Sequence, residues 1–291
     1  EEDIHRKDIR VGDLVTIQEF WGGALGRNPR KQVDLVLDGV TDIAGVVPGY
    51  TPGRFPGMSV FELPYLFQSG VEGSEAMWRM FEAGHLGGLD KMKVLGFYTT
   101  DVYGIHTKKK MTSLADVKGM KLRSAGPVQA GMVKHLGGVP IGMPITQATE
   151  ALSRGVVDGV IAGFSGLTIF RMQTIAKYHY AAPLSIAPLA ALMNKKKWDS
   201  LPKKVQQSMD RHGGRTMAQV TGGGFDKTAK IFKAKMEKAN KHTYVPWDNA
   251  NVDKARDTMR PVYAAWVKGN KNGQMKLDAL LKIISDIRAG K

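Results

Sequence analysis

The chain has 291 residues, 43% of them hydrophobic and 24% charged, which is enough to build a substantial core divided between two lobes. It contains no cysteine, which excludes disulfides, thiolate metal sites and cysteine nucleophiles. No apolar run approaches the roughly 18–20 residues needed to span a bilayer. The net charge of +15 is uneven: residues 1–100 hold 10 Lys/Arg against 14 Asp/Glu, and residues 101–291 hold 32 against 13. Such a bias fits nucleic acid or an acidic surface. The lysines at 108–110, 195–197, 203–204 and 227–241 lack interleaved aromatics for base stacking, however, which favours a solvated basic face that aids anion capture.

The β-branched run Leu14-Val15-Thr16-Ile17 predicts a short strand ending at the glycine-rich turn Trp21–Gly26. Asn28 then caps a helix with Pro29 at its first position, Val33, Val36 and Leu37 inward, and Gly39 as its stop. An apolar strand, Ile43–Val47, follows and closes at Pro48-Gly49. This strand–helix–strand order predicts a parallel sheet covered by helices. The pattern recurs after Met92–Phe97. Ser113 and Asp116 have capping-box spacing for a helical turn before Gly119. Lys121–Arg123 reads as a strand, Ser124-Ala125-Gly126 as a tight turn, and Pro127 opens a helix with Val128, Met132, Val133 and Leu136 inward. Val139–Ile141 and Val156–Ile161 are further strands, separated by a helix that Thr146 caps and Gly155 ends. Leu189–Met193 reads as a strand feeding Trp198–Pro202, after which a long amphipathic, lysine-rich helix begins. Two adjacent α/β lobes are the economical interpretation.

Catalytic signatures are missing from the sequence. It has no HExxH, no GxSxG elbow and no GxxxxGK[ST] phosphate loop, and its seven histidines include no pair at i,i+3 or i,i+4. One location has a positive physical argument. Arg123 ends a strand, and Ser124-Ala125-Gly126 leads straight into a helix N-terminus. In an open α/β sheet ligands settle beyond the carboxyl ends of strands, and free amides at a helix start favour an anion. Arginine adds a two-pronged donor matched to a carboxylate. From spacing alone, a surface ion pair for Arg123 stays open as the alternative.

At this stretch the sequence becomes recognisable. Residues 114–123, LADVKGMKLR, resemble the L-x-D-h-K-G-h-K-h-R segment (h apolar) of TRAP transporter solute-binding proteins, which serve tripartite ATP-independent periplasmic transporters. Residues 136–144, LGGVPIGMP, are similar to the family's L-G-A-x-P-x-x-M-P, and Glu150–Leu152 with Gly155–Gly159 to its x-A-L-x-x-G-x-V-D-G. Upstream, Gly22–Gly26 resembles G-G-x-L-G and Glu62–Phe67 resembles x-L-P-F-L-F; downstream, Met193–Pro202 resembles h-x-N-K-x-x-W-x-x-L-P. Individually these motifs are modest, but their order along nearly the whole chain makes the set specific. The resemblance implies an α/β, two-lobed periplasmic-binding-protein-like clamp. Each lobe would be a mixed, mostly parallel sheet flanked by helices, with a long helix spanning both lobes. The expected partition is residues 1–103 with about 188–230 for lobe I, and about 104–187 with 231–291 for lobe II.

The same resemblance implies capture of a small organic carboxylate by cleft closure and delivery to the membrane subunits of a TRAP transporter. It also implies a periplasmic location after signal-peptide removal, a monomer, no cofactor, no metal and no enzymatic activity. In the family the arginine matched by Arg123 forms the salt bridge to the ligand carboxylate. His106, within Tyr103–Thr107, stands where many members carry a second cleft arginine. Ala162–Ser165 stands where many carry Asn-Pro, and gaining Phe164 there suggests an aromatic or otherwise weakly polar acid. Tyr50, Tyr103 and Ser124 complete the expected site. Trp21 and Phe164 each lie either on the cleft or in packing. The strand and helix that usually precede Leu14 are represented only by Ile4–Val11. A ligand sensor for a receptor is the alternative with an identical cleft, and a basic nucleic-acid-binding protein is a third reading.

Overall fold

The computed structural model describes residues 14–247 and 252–291 and builds them into two β-sheets with helices around each. The Ile4–Val11 segment lies outside the described residues. The predicted strand at Leu14–Ile17 does not form: this stretch is irregular and Ile17 is exposed. The helix predicted from Asn28 does form. Its side chain accepts from the Arg30 amide at 3.0 Å, a 3-10 turn covers Pro29–Lys31, and α1 (Gln32–Leu37) buries Val33 and Val36. Strand β1 (Ile43–Val46) follows, and a 3-10 turn at Pro48–Tyr50 leads to another at Met58–Glu62. Helix α2 (Gly70–Glu82), capped by Ser69, precedes β2 (Met92–Thr99).

The first sheet has the order β1-β8-β2, where β8 is Pro188–Asn194, and both of its pairings are antiparallel. The expected parallel partner of β1, the strand at Leu14–Ile17, is absent, and a mostly parallel sheet does not form here. The returning strand β8 takes the central position instead, so β1 and β2 point the same way without touching. The second sheet is mixed, with order β5-β4-β6-β3-β7-β9. It contains β3 (Tyr103–Thr107), β4 (Lys121–Ser124), β5 (Val139–Gly142), β6 (Gly159–Ala162), β7 (Tyr178–Ser185) and β9 (Thr243–Val245). Here β4 pairs in parallel with β5 and β6, and β3 pairs antiparallel with β6 and β7. Helix α3 (Pro127–His135) connects β4 to β5, after which a 3-10 turn from Ile145 leads into α4 (Ala148–Ser153). Thr146 therefore lies within that turn and is not its cap. The short α5 (Phe164–Ile169) follows β6 directly.

The chain passes between sheets at residues 100–102 and 186–187, and the two crossings are tied together. The Thr100 amide donates to the Ala187 carbonyl and the Ala187 amide to the Thr100 hydroxyl, both at 3.1 Å. After α6 (Lys195–Ser200) and α7 (Lys203–His212) comes α8 (Gly214–Lys238), 25 residues that pack on α2 and β2 at one end and on α5 at the other. This is the long helix common to both lobes. Three further helices, α9 (Val252–Thr258), α10 (Arg260–Gly269) and α11 (Gly273–Arg288), close the described chain. The last packs against α2 beside the first sheet, where the Arg288 Nε meets Glu72 Oε1 at 2.6 Å.

The crossing of α8 over α2 depends on Gly222. A Cβ there would lie 2.7 Å from the Gly70 carbonyl oxygen and would also strike the Ser74 hydroxyl. Gly222→Ala is expected to force the helices apart and destabilise the protein by about 1–3 kcal/mol. Urea denaturation of the two proteins at one temperature checks this.

Candidate functional site

Strand β4 delivers Arg123 to the junction of the two sheets. Its register places it beside Ile141 of β5 and Val160 of β6, and the side chain is 1% exposed. Nε donates to the Met143 carbonyl at 2.9 Å, Nη1 to the Ile161 carbonyl at 3.2 Å and Nη2 to the Tyr50 hydroxyl at 3.2 Å. A guanidinium has five N–H donors, so one remains on each terminal nitrogen. These are donors of the kind that a carboxylate engages with its oxygens.

Tyr50 comes from the other side of the junction. Its hydroxyl accepts from Arg123 and from the Ile145 amide, the latter at 2.9 Å, which uses both lone pairs and leaves the phenolic proton to be donated. Tyr103, buried on β3, interacts with Arg123 and Tyr50, and burial holds its phenol well above the ordinary tyrosine range. The two sides approach through glycines. A Cβ on Gly126 would lie 3.1 Å from the Gly49 carbonyl oxygen and 3.2 Å from Glu62 Oε2. Gly126 has an extended backbone (φ −152°), so it is this proximity that favours glycine there. The Pro48–Tyr50 turn and the start of α3 are therefore in direct contact.

Around the Ser124-Ala125-Gly126 turn the polar atoms are incompletely satisfied. Seven buried side-chain N or O atoms among the described residues lack a partner, and three of them belong to Glu62 (Oε2), Ser124 (Oγ) and Gln129 (Nε2). Gln129 holds the turn, its Oε1 accepting from the Ala125 amide at 2.9 Å. Native interiors seldom leave polar atoms unpaired, so this concentration marks a place built for a polar guest. Glu62 is 1% exposed, and burial pushes its carboxyl up to about 8 while the Arg123 charge opposes that shift.

Arg123, Tyr50, Tyr103 and Ser124 thus come together as the sequence suggested, and Glu62 and Gln129 join them. Glu62 was hidden at the variable first position of E-L-P-Y-L-F, inside an apolar run, and Gln129 within an ordinary helix start. Three expected residues lie elsewhere. Trp21 is 77% exposed, and its indole N–H bonds Glu19 at 3.0 Å. Its glycine turn stands clear of the sheets and brings it to solvent. Phe164 caps the lobe II core instead, its ring against His106, His179 and Tyr244. Its position is fixed by Asp101 in the crossing segment, which accepts from the Ser165 hydroxyl and amide and leaves no space for a Cβ on Gly163.

His106 is not a substitute cleft arginine, because both of its ring nitrogens are engaged within lobe II. Cross-strand register sets it opposite His179, with Nδ1 to Nδ1 at 2.9 Å, and its Nε2 meets the Ala162 carbonyl at 3.0 Å. His179 Nε2 in turn meets His242 Nδ1 at 2.8 Å. A carbonyl only accepts, so His106 carries its proton on Nε2. That makes its Nδ1 an acceptor, places the His179 proton on Nδ1, and requires His242 to donate from Nδ1. Burial lowers the His106 pKa to about 4 and depresses His179 as well. A separate cavity of about 520 Å³ opens between Pro48–Ser59, α3 and α10; its walls are mainly apolar and exclude Arg123. Its one histidine, His135, is engaged by the Thr258 carbonyl at 2.7 Å.

Two α/β lobes closing on one buried arginine are the working parts of a solute-binding clamp. The family model for bacterial extracellular solute-binding proteins, family 7 (DctP), matches residues 10–270. The chain belongs to this family, that of the TRAP solute-binding proteins. It resembles a marine-metagenome TRAP solute-binding protein described as specific for aromatic acids and solved with metahydroxyphenylacetate, at 31% identity and a TM-score of 0.84, over 90% of this chain and 85% of that one. A TRAP solute-binding protein of Rhodoferax ferrireducens, solved with copurified benzoate, is 26% identical with a TM-score of 0.83, over 92% and 86% of the two chains. The C4-dicarboxylate-binding periplasmic protein DctP of Rhodobacter capsulatus is 26% identical over 77% of this chain and 66% of its own length. The chain spans 53–66% of the length of three such curated relatives.

Two outcomes test the geometry. Gly126→Ala is expected to obstruct closure and weaken ligand binding about 3- to 10-fold, since its Cβ meets backbone across the cleft, with little change in thermal stability. Nitrogen-15 NMR between about pH 5 and pH 8 is expected to show His106 neutral as the Nε2–H tautomer and His179 as the Nδ1–H tautomer. A charged His106 ring in that window contradicts the relay.

Proposed function

We propose that the protein captures a small organic carboxylate by closing its cleft and delivers it to the membrane subunits of a TRAP transporter. The observation that carries this reading is Arg123: a buried guanidinium with one N–H remaining on each terminal nitrogen. Tyr50 donates its phenolic proton to the same ligand group and links ligand binding to closure. An aromatic acid is the favoured class. Its support is the resemblance to proteins solved with metahydroxyphenylacetate and with benzoate. It no longer draws on Phe164, whose ring packs inside lobe II.

The protein acts in the periplasm as a monomeric carrier without catalytic activity. The support for a carrier is the family itself, that of solute-binding proteins. Among the described residues no helix is long and apolar enough to cross a membrane. The basic surface speeds encounter with anions and does not serve nucleic acid.

Calorimetric titration with benzoate checks the reading. Arg123→Ala is expected to weaken binding by at least about 30-fold, because truncating one partner of a buried hydrogen-bonded charge pair costs roughly 2–5 kcal/mol. Tyr50→Phe is expected to weaken it about 5- to 10-fold, the worth of one hydrogen bond. Unchanged affinity in Arg123→Ala removes the anchor from the site.

A further inference from the structure

Arg123 is the one buried lysine or arginine among the described residues, and the buried carboxyl that interacts with its charge is Glu62. Glu62 ends the 3-10 turn Met58–Glu62, and its backbone carbonyl is held by the Ser185 hydroxyl at 2.8 Å. Its side chain lies between the two glycines where the lobes meet. Oε1 would stand 2.7 Å from a Cβ on Gly49, and Oε2 3.2 Å from one on Gly126 at the start of α3. Oε2 has no hydrogen-bond partner. Buried Glu72 and Glu75, by contrast, have arginine partners in Arg288 and Arg79.

We propose that Glu62 serves as a neutral carboxylic acid that donates a hydrogen bond to the ligand carboxylate held by Arg123, so that the site takes monoanions and rejects dianions. This rests on the carboxylate-binding reading and adds a charge count to it. With Glu62 ionised, it already balances Arg123, and an incoming carboxylate would add an uncompensated charge to a site removed from water. With Glu62 neutral, the ligand itself balances Arg123. A second carboxylate on the ligand would find no second buried cation. The titratable group that acts on Glu62 is Arg123 on β4, which in turn meets the phenols of Tyr50 and Tyr103. Across from them, the start of α3 offers the uncharged Gln129, whose Nε2 is a further donor without a partner.

The sign follows from the raised pKa of Glu62. Burial places it near 8, so the donor form prevails at neutral pH and is lost as pH rises through that value. Ligand binding must then take up a proton, and affinity falls about tenfold per pH unit above it. Calorimetry on the whole chain tests this with benzoate and succinate as probes, from about pH 6.5 to about pH 9.5. Expected are a benzoate affinity that is level near neutrality and declines above about pH 8, and proton uptake in alkaline buffers of differing ionisation enthalpy. Succinate is expected to bind at least about 100-fold more weakly than benzoate. Glu62→Gln keeps a donor but cannot ionise, so its affinity profile should be flat and cross above the wild type's at the alkaline end. A wild-type profile level to about pH 9.5, absent proton uptake, or succinate bound as well as benzoate overturns the inference while leaving Arg123 as anchor. Failure to bind either probe near pH 6.5 overturns the carboxylate reading and this inference together. The wild-type profile and proton count decide the matter even if the variant does not fold.

Discussion

A buried guanidinium whose hydrogen-bond partners are all neutral organises this molecule. Arg123 bonds two backbone carbonyls and a phenol, so its geometry is fixed while its charge is left without a hydrogen-bonded counter-ion. Removing an ion from water costs several kcal/mol, and neutral partners recover only part of that. The closed cleft is therefore incomplete until an anion enters. An anion on Arg123 supplies differential binding energy to the closed form alone, which is the thermodynamic requirement for a ligand to drive a conformational change. Tyr50 makes the coupling concrete. Its hydroxyl bonds Arg123 and the Ile145 amide only when the Pro48–Tyr50 turn lies against the second sheet.

The rest of the fold sets how closely the two walls approach. Glycines at 49 and 126 let backbone meet backbone where a methyl group would intrude. The crossing segments at Thr100 and Ala187 are joined by paired hydrogen bonds, and α8 runs over both lobes on a glycine contact with α2. Asp101 lies in the first crossing segment and holds Ser165 at the start of α5, so the crossing is linked directly to the end of β6, whose Ile161 carbonyl holds Arg123.

The sequence was most legible where local chemistry acts alone. Asn28 with Pro29, the Ser113–Asp116 capping box and the Ser124–Pro127 turn all form as their residue types require, because each depends on a few neighbouring backbone groups. Arg123 was legible for the same reason: the end of a strand and the start of a helix are both local features. Pairing partners were not legible. Inserting β8 between β1 and β2 is a long-range choice, and no hydrophobic period reports it. The histidine relay escaped notice because its members are brought together by register across β3 and β7, while along the chain they are 73 and 63 residues apart. Glu62 was missed because a carboxylate within an apolar run gives no local sign of whether it will be buried.

The +15 net charge and the buried Arg123 act on different parts of the binding event. Surface lysines lie in water, where charges more than about 8 Å apart are largely screened at physiological salt. They raise the rate at which an anion arrives but contribute little to holding it. Arg123 acts where the dielectric is low and its donors are already aimed, so one residue contributes more to affinity than the whole basic face. Selectivity follows from the same contrast. A solvated basic surface attracts dianions more strongly than monoanions, and the proposed pairing of Arg123 with a neutral Glu62 would reverse that preference in the cleft. On the proposed charge count, broad gathering of anions at the surface and retention by charge balance in the interior are separate steps.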